Sequence, residues 1–151
     1  SNVAAVSGSW MVKGSLIKAK QWDEITRLSK EAVEASLGFG FAHVGINFHG
    51  DGECAEGVKE FEAFGFKGVE GKSSWFCGTE FELMKNGVKG KNGHIGVLTY
   101  NIERALAYLA DRGFKPVADS AQWTGEAEKS PLKFIYLDKE INGFAVHLKK
   151  R

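Results

Sequence analysis

This sequence of 151 residues has little net charge, few prolines and no long apolar run. Its 20 basic and 19 acidic residues leave a net charge of +1, which gives no electrostatic basis for binding nucleic acid or an anionic membrane. No apolar run approaches the roughly 20 residues that a membrane-spanning helix needs. There are only 2 prolines and 2 cysteines, Cys54 and Cys77, without CxxC spacing. We therefore expect no proline-rich linker and no disulfide framework, two small buried cysteines and a cytoplasmic location.

A repeated pattern organises most of the chain. "AHVGINFHGDGECAEGVKEFEAFGFKGVE" begins at Ala42, and "GHIGVLTYNIERALAYLADRGFKPVA" begins at Gly93. Both read small residue, histidine, β-branched residue, glycine and then an apolar position, and both pass through an amphipathic segment to Gly-Phe-Lys. Such self-similarity indicates two copies of one structural unit. The copies are expected at about residues 39–90 and 91–151.

Each half predicts the order β-α-β-β-β. The first half predicts a strand at about 41–47, a helix at about 53–64, and strands near 66–70, 73–77 and 80–84. The second predicts a strand at about 94–99, a helix at about 101–111, and strands near 114–118, 132–138 and 143–149. Helical spacing places one apolar face on the second helix, with Asn101 as its N-cap and Gly113 after its end. The residues of that face are Ile102, Ala105, Leu106 and Leu109.

Residues 1–38 do not belong to the repeat. "VAAVSGSWMV" predicts a buried strand followed by a turn. "WDEITRLSKEAVEASLG" predicts a helix that ends at Gly38. Its apolar residues, on or near one face, are Trp22, Ile25, Leu28, Ala32 and Ala35.

Strand alternation places polar residues opposite the expected core. Successive side chains of a strand point to opposite faces of the sheet. In the first and last strands of each half, the apolar residues share the face that should pack under the helices. The polar residues that fall on the other face are His43, Glu82, His94 and His147.

Taken singly, a histidine or glutamate on a strand is usually a solvent-facing or hydrogen-bonded residue. The fourth histidine, His49, is expected at the surface of a loop. Residues of metal-ligand type at four equivalent positions of two repeats indicate a shared site instead. Three imidazoles and one carboxylate suit Zn, Ni, Co, Fe or Mn, and they suit Ca or Mg poorly.

The doubled unit, with "HVGI" and "HIGV" opening strands and "FELMKN" and "FAVHLKK" closing strands, resembles the vicinal oxygen chelate superfamily. That group includes glyoxalase I, extradiol dioxygenases and bleomycin-resistance proteins. The resemblance covers about residues 39–151. It implies an α+β fold in which tandem β-α-β-β-β repeats form a curved mixed sheet around a cavity, here preceded by an extra strand and helix.

The same resemblance implies a set of metal ligands. In metal-dependent members each half supplies one ligand from its first strand and one from its last. The matching positions here are His43, Glu82, His94 and His147. Glyoxalase I commonly has glutamate at the fourth position, where this sequence has His147. The resemblance therefore implies metal binding rather than glyoxalase activity itself.

Over about 35 residues, the segment 1–38 resembles the last strand and helix of the barrel of 2-keto-3-deoxy-6-phosphogluconate / 4-hydroxy-2-oxoglutarate aldolases. This implies that residues 39–151 are a glyoxalase-like C-terminal domain, with an upstream aldolase barrel in the same parent chain. The barrel part that would hold the Schiff-base lysine of these lyases is absent from this sequence. Aldolase activity is therefore not expected of the fragment.

Two functions remain open from the sequence. In the first, a divalent metal chelates a small 2-oxo or hydroxy acid, and Glu82 doubles as the catalytic base. In the second, the domain is a non-catalytic metabolite-binding or oligomerisation module that regulates the aldolase. Each repeated half can pair with the other half of the same chain or with a half of another chain, so the sequence also allows a homo-oligomer. The aromatic residues that could line a pocket, or belong to the core, are Trp75, Phe76, Trp123, Phe134 and Tyr136.

Overall fold

A computed structural model of the protein describes residues 7–126 and 130–151. The chain divides into two compact units, Ser1–Gly38 and Phe39–Arg151. The helices are α1 (Gly14–Lys18), α2 (Trp22–Leu37), α3 (Asp51–Ala63) and α4 (Ile102–Ala110), with a short 3₁₀ helix at Ala118–Ser120. The strands are β1 (Gly40–Asn47), β2 (Gly68–Glu70), β3 (Ser74–Cys77), β4 (Phe81–Met84), β5 (Gly93–Thr99), β6 (Gln122–Trp123), β7 (Leu132–Ile141) and β8 (Phe144–Lys150).

The larger unit is an open sheet built from two equivalent halves. Its eight strands lie in the order β2-β3-β4-β1-β5-β8-β7-β6. The first strand of each half pairs in parallel with the last strand of that half, as β1 with β4 and β5 with β8. The two halves meet where β1 and β5 pair in the antiparallel direction. The β-α-β-β-β unit, written twice in an α+β fold, is confirmed.

In the larger unit, α3 and α4 each cover one half of the sheet on its apolar side. Cys54 and Val58 of α3 form a buried cluster with Cys77 and Leu83 from the strands beneath. In the second half, α4 lies against β7 and β8. It buries Ile102 and Ala105 fully, and Leu106 and Leu109 partly, as the helical spacing predicts. The opposite face of the sheet therefore carries the residues that alternate with this core.

Local signals account for the ends of α4. The side chain of Asn101 accepts a hydrogen bond of 2.8 Å from the backbone N–H of Arg104. This confirms Asn101 as the N-cap. Gly113 has a positive φ of 78°, a conformation that glycine adopts without steric cost. The predicted end of the helix is therefore also confirmed.

The strand predicted near residues 114–118 is wrong. Backbone bonds still tie this segment to β7, because Lys115 accepts from Asp138 N–H and Val117 donates to Tyr136. Between them, however, Pro116 forms only an isolated bridge with Leu137. Proline has no N–H to donate to a ladder. The third element of the second half is consequently β6 at Gln122–Trp123, after the 3₁₀ helix.

The smaller unit, described from Ser7 onward, contains α1 and α2. The helix predicted to end at Gly38 is confirmed, and Gly38 closes it with φ of 60°. The strand predicted in "VAAVSGSWMV" falls largely on residues 1–6, which lie outside the described residues. The described remainder forms a turn rather than a strand, and α1 was not anticipated. In the described part of the chain, no helix combines the length and apolar character needed to cross a membrane.

Candidate metal centre

Four adjacent strands carry the four residues that alternation singled out. Glu82 lies on β4, His43 on β1, His94 on β5 and His147 on β8, and these strands are neighbours in that order. The three histidines are buried, and Glu82 is half-buried. The structure therefore brings all four predicted residues together on the face opposite α3 and α4.

The glycine of the first "HVG" motif makes room for the second half's histidine. Gly45 lies in register between Glu82 of β4 and His94 of β5. The ring of His94 lies directly over it. A Cβ built on Gly45 would be 2.0 Å from Cε1 and 2.5 Å from Nε2 of that ring. Any side chain larger than hydrogen would displace the His94 imidazole.

The "HIG" motif of the second half plays the reciprocal part. Gly96 lies in register between His43 of β1 and His147 of β8. A Cβ there would be 2.9 Å from Cε1 of His147 and 3.0 Å from Cε1 of His43. The His-x-Gly spacing thus recurs because each glycine leaves space for site residues on the neighbouring strands.

The polar atoms of the four residues converge. His43 Nε2 lies 3.0 Å from His94 Nε2 and 3.3 Å from His147 Nε2. Oε2 of Glu82 is 3.3 Å from His43 Nε2 and 3.2 Å from His94 Nε2. Glu82 thus joins the histidine cluster through two of its three members.

These separations fit the coordination shell of a divalent metal. Bonds of about 2.0–2.1 Å to one ion place neighbouring ligand atoms roughly 3.0–3.4 Å apart in tetrahedral or octahedral geometry. One ligand nitrogen from each histidine lies within 4.8 Å of the others. Imidazole nitrogens with one carboxylate oxygen are ligands that Zn, Ni, Co, Fe and Mn accept. The residues present therefore fit a divalent metal, and the donor set does not distinguish among these ions.

The protonation of His147 keeps it available as a ligand. Burial lowers the pKa of His147 to about 3, and the neighbouring imidazoles of His43 and His94 act in the same direction. A neutral imidazole retains the lone pair that a metal needs. The Nδ1 atoms of His94 and His147 are buried and have no hydrogen-bond partner among the described residues. Most metal-ligating histidines do have such a partner, which fixes the tautomer.

The carboxylate of Glu82 is held from its other side. Oγ of Ser74 donates a hydrogen bond of 2.8 Å to Oε1, while Oε2 faces the histidines. Burial raises the pKa of Glu82, but the hydrogen bonds from His43, His94 and Ser74 outweigh it and hold the pKa well below its usual range. A carboxylate that stays ionised in this way is a suitable ligand and a weak base.

A cavity of about 600 Å³ opens above the cluster. Of the predicted aromatic lining, Phe76, Phe134 and Tyr136 are present. Trp75 instead packs against the core beneath α3, and Trp123 is half-buried on β6 away from the lining. The aromatic side chains make the walls of the cavity largely apolar around a polar floor.

Sequence reasoning missed the residues that support the site. Alternation along "SSWFC" places Ser74 on the same face as Phe76, and this signal could have identified it as a partner for Glu82. Alternation along "HLKK" likewise places Lys149 on the face of His147. The steric role of Gly45 and Gly96 depends on register between strands, for which the sequence carries no local signal.

His49 is exposed, as expected, and its backbone N–H donates to the side chain of Glu53. Cys54 and Cys77 are both buried and free. Burial raises the pKa of both thiols, which suits structural rather than reactive cysteines.

Comparisons with known proteins add little to this geometry. No family model matches the sequence. No curated protein matches it either. Among solved structures, homoprotocatechuate 2,3-dioxygenase from Arthrobacter globiformis aligns with 74% of this chain at 11% identity and a TM-score of 0.46. The aligned part is 35% of the dioxygenase chain, so this chain spans about a third of that structure.

Proposed function

We propose that the unit Phe39–Arg151 binds a divalent cation through His43, Glu82, His94 and His147, and that a small 2-oxo or hydroxy acid binds at this ion. The observation that carries the proposal is the convergence of three buried imidazole nitrogens. Nε2 of His43 lies 3.0 Å from Nε2 of His94 and 3.3 Å from Nε2 of His147. Buried imidazoles that face each other gain little without an ion or proton between them. A shared cation satisfies all of them together.

Metal binding is tested on the full chain after treatment with a chelator. The protein is incubated with Zn, Ni, Co, Mn or, without oxygen, Fe(II) salts, and bound metal is measured after dialysis. We expect a single equivalent of ion, and a loss of affinity of at least about 100-fold in His94→Ala. The matched control is His49→Ala, since His49 is exposed and outside the cluster. Retention of wild-type affinity by His94→Ala would refute the site.

A divalent ion bound there would supply a Lewis acid that two adjacent oxygens of a 2-oxo or hydroxy acid can chelate. The chain's own residues supply the surroundings. Phe76 and Phe134 exclude water from the cavity walls, and Ser74 fixes the orientation of Glu82. Exclusion of water strengthens the electrostatic interactions inside such a site.

Glu82 is proposed both to hold the ion and to accept a proton from the bound acid. It is the one carboxylate among the described residues that line the cavity. Its lowered pKa favours the ligand role over the base role. Glu82→Gln separates the two, because the amide cannot accept the proton. The reaction to be measured is the exchange of pyruvate protons for deuterium. If Glu82→Gln saturated with metal loses this exchange, the base role is supported, and if the exchange is fully retained, the base role is refuted.

A non-catalytic module that binds a metabolite or assembles the parent protein is the second candidate. It is favoured by the same lowered pKa of Glu82, which leaves the cavity without a strong base. Deuterium exchange into the methyl group of pyruvate, measured in deuterated water with metal-loaded protein, separates the candidates. Exchange above the rate of free metal supports an enzyme. Binding without exchange supports the module.

We also propose that this domain belongs to a parent aldolase for 2-keto acids. Support comes from the resemblance of residues 1–38 to the end of an aldolase barrel. The coding sequence upstream of residue 1 tests this directly. An open reading frame for the preceding β/α units, including a Schiff-base lysine, would support the parentage, and its absence would refute it.

A further inference from the structure

Among the described residues, the lining of the cavity carries more positive than negative charge. Lys133, Lys149 and Lys150 line it. Among the described residues, none of these three lysines forms an ion pair with a carboxylate. The described lining residues include one carboxylate, that of Glu82, and it is already engaged by histidines and Ser74. The chain as a whole has a net charge of only +1, so this excess of cations is local.

Lys149 is placed to act on the same ligand as the histidine cluster. It follows His147 by two residues on β8 and lies in register with Phe134, another lining residue. Residues i and i+2 share a face of a strand and stand roughly 7 Å apart. His147 is buried and Lys149 is exposed. The strand therefore leads from a dry imidazole to a solvated ammonium along one wall.

A further cation lies near the same wall. Nζ of Lys89 is 5.6 Å from the ring centroid of Tyr136. Tyr136 lines the cavity and is in register with His147. Cations that face a partly enclosed, apolar-walled space raise the local concentration of anions.

We propose that the ligand of this cavity carries a second anionic group, a carboxylate or a phosphate, beyond the oxygens that bind the ion, and that Lys149 binds it. The inference rests on the proposed function, since it assumes that the first group binds at the histidine cluster. An ammonium group recognises either anion as a point charge. The spacing along β8 requires several carbon atoms between the two ends of the ligand. The substrate class is thus a 2-oxo or hydroxy acid with a distal anion.

The test compares two ligands of equal length on the full chain. Zinc is titrated first, and the zinc-loaded protein is then titrated calorimetrically with 2-oxoglutarate and with 2-oxovalerate, which lacks the distal carboxylate. We expect 2-oxoglutarate to bind at least about 10-fold more tightly, because a hydrogen bond to a charged group contributes that much. A third ligand, 2-oxo-4-phosphonobutyrate, carries a phosphonate in place of the distal carboxylate. Whichever of this ligand and 2-oxoglutarate binds more tightly identifies the anion that the site prefers.

Lys149→Met removes the charge and keeps the length of the side chain. It should reduce the preference for 2-oxoglutarate to within about 2-fold while 2-oxovalerate binds as before. Lys59→Met is the matched control, because Lys59 lies on α3 with its side chain 69% exposed. That helix covers the other face of the sheet, so the preference should not change.

The outcomes separate this inference from the proposed function. Equal binding of the two ligands to zinc-loaded protein would overturn the second anionic group and leave the metal site intact. An unchanged preference in Lys149→Met would overturn the role of that lysine. Failure of the wild-type chain to bind zinc, Ni, Co, Mn and Fe(II) alike would refute the proposed function, and this inference with it.

Discussion

Substituting Gly45 by alanine is the sharpest test of the site, since it alters neither a proposed ligand nor a charge. The added Cβ would lie 2.0 Å from Cε1 and 2.3 Å from Nδ1 of His94. An ordinary carbon–carbon contact is about 3.5 Å, so the ring would have to retreat by roughly 1.5 Å. Metal–ligand distances tolerate deviations of only about 0.2 Å. The substitution should therefore remove His94 from the ligand set.

We expect Gly45→Ala to bind zinc about 100-fold more weakly than the wild-type chain, the upper end of the usual effect of losing ligand orientation. Gly96→Ala should cost about 10-fold, because its nearest contacts of 2.9 and 3.0 Å need a shift of only about 0.5 Å. Calorimetric titration of metal-free protein measures both. Gly52→Ala is the control, since nothing beyond its chain neighbours and the adjacent backbone of α3 lies within 4 Å of its Cβ position among the described residues.

A loss of folding in Gly45→Ala would be resolved by adding a second change. Combining it with His94→Ala removes the ring that the new methyl group meets. The double variant should be more stable than Gly45→Ala and no weaker in zinc affinity than His94→Ala alone, a non-additive result typical of residues in contact. Wild-type zinc affinity in a folded Gly45→Ala protein would refute the reasoning.

Four further predictions concern the support of the site and the fold. Ser74→Ala should weaken zinc binding about 10-fold, because Glu82 loses its orienting hydrogen bond; unchanged affinity in a calorimetric titration would contradict this. Leu83→Ala should lower the free energy of unfolding in urea by about 2–5 kcal/mol, since Leu83 is 0% exposed in the core. Asn101→Ala should lower the same quantity by about 1 kcal/mol through loss of the N-cap; no change would argue against that cap. The pKa of His147 is lowered to about 3, so between pH 7 and pH 5 only the unfolded chain takes up this proton, and metal-free protein loses stability as the pH falls. Between pH 7 and pH 5, the free energy of unfolding of metal-free His147→Gln should fall by about 2 kcal/mol less than that of the metal-free wild-type chain. Urea unfolding at the two pH values measures this difference.

The sequence was sufficient to identify the candidate site because strand alternation is a local property. Knowing that His147 opposes Val146 and Leu148 needs no knowledge of neighbouring strands. The repeat then matched His43 with His94 and placed Glu82 at the position of His147. The convergence of their polar atoms follows from these two local facts once the halves pair through β1 and β5.

What the sequence could not supply is non-local. The register that sets Gly45 opposite His94 is decided by pairing across the sheet, far along the chain. The failure near Pro116 is of a different kind, because the proline that causes it is visible in the sequence. An apolar, strand-like segment does lie beside β7, but proline withholds the N–H that would make it part of the ladder. The short helix α1 has no buried residue, so its sequence has no apolar periodicity from which the helix could be predicted.

The two halves match in strand order and in the histidines of their first strands, but the site residues of their last strands differ. At equivalent places on β4 and β8 stand a carboxylate and an imidazole, Glu82 and His147. Beside Glu82 lies Phe76, whereas His147 is flanked by Tyr136 and followed by Lys149. A molecule bound between them would contact different side chains on the side of β4 and on the side of β8. A ligand bound there as proposed would have its two ends distinguished by the site, and the two faces of a flat ligand would also be distinguished.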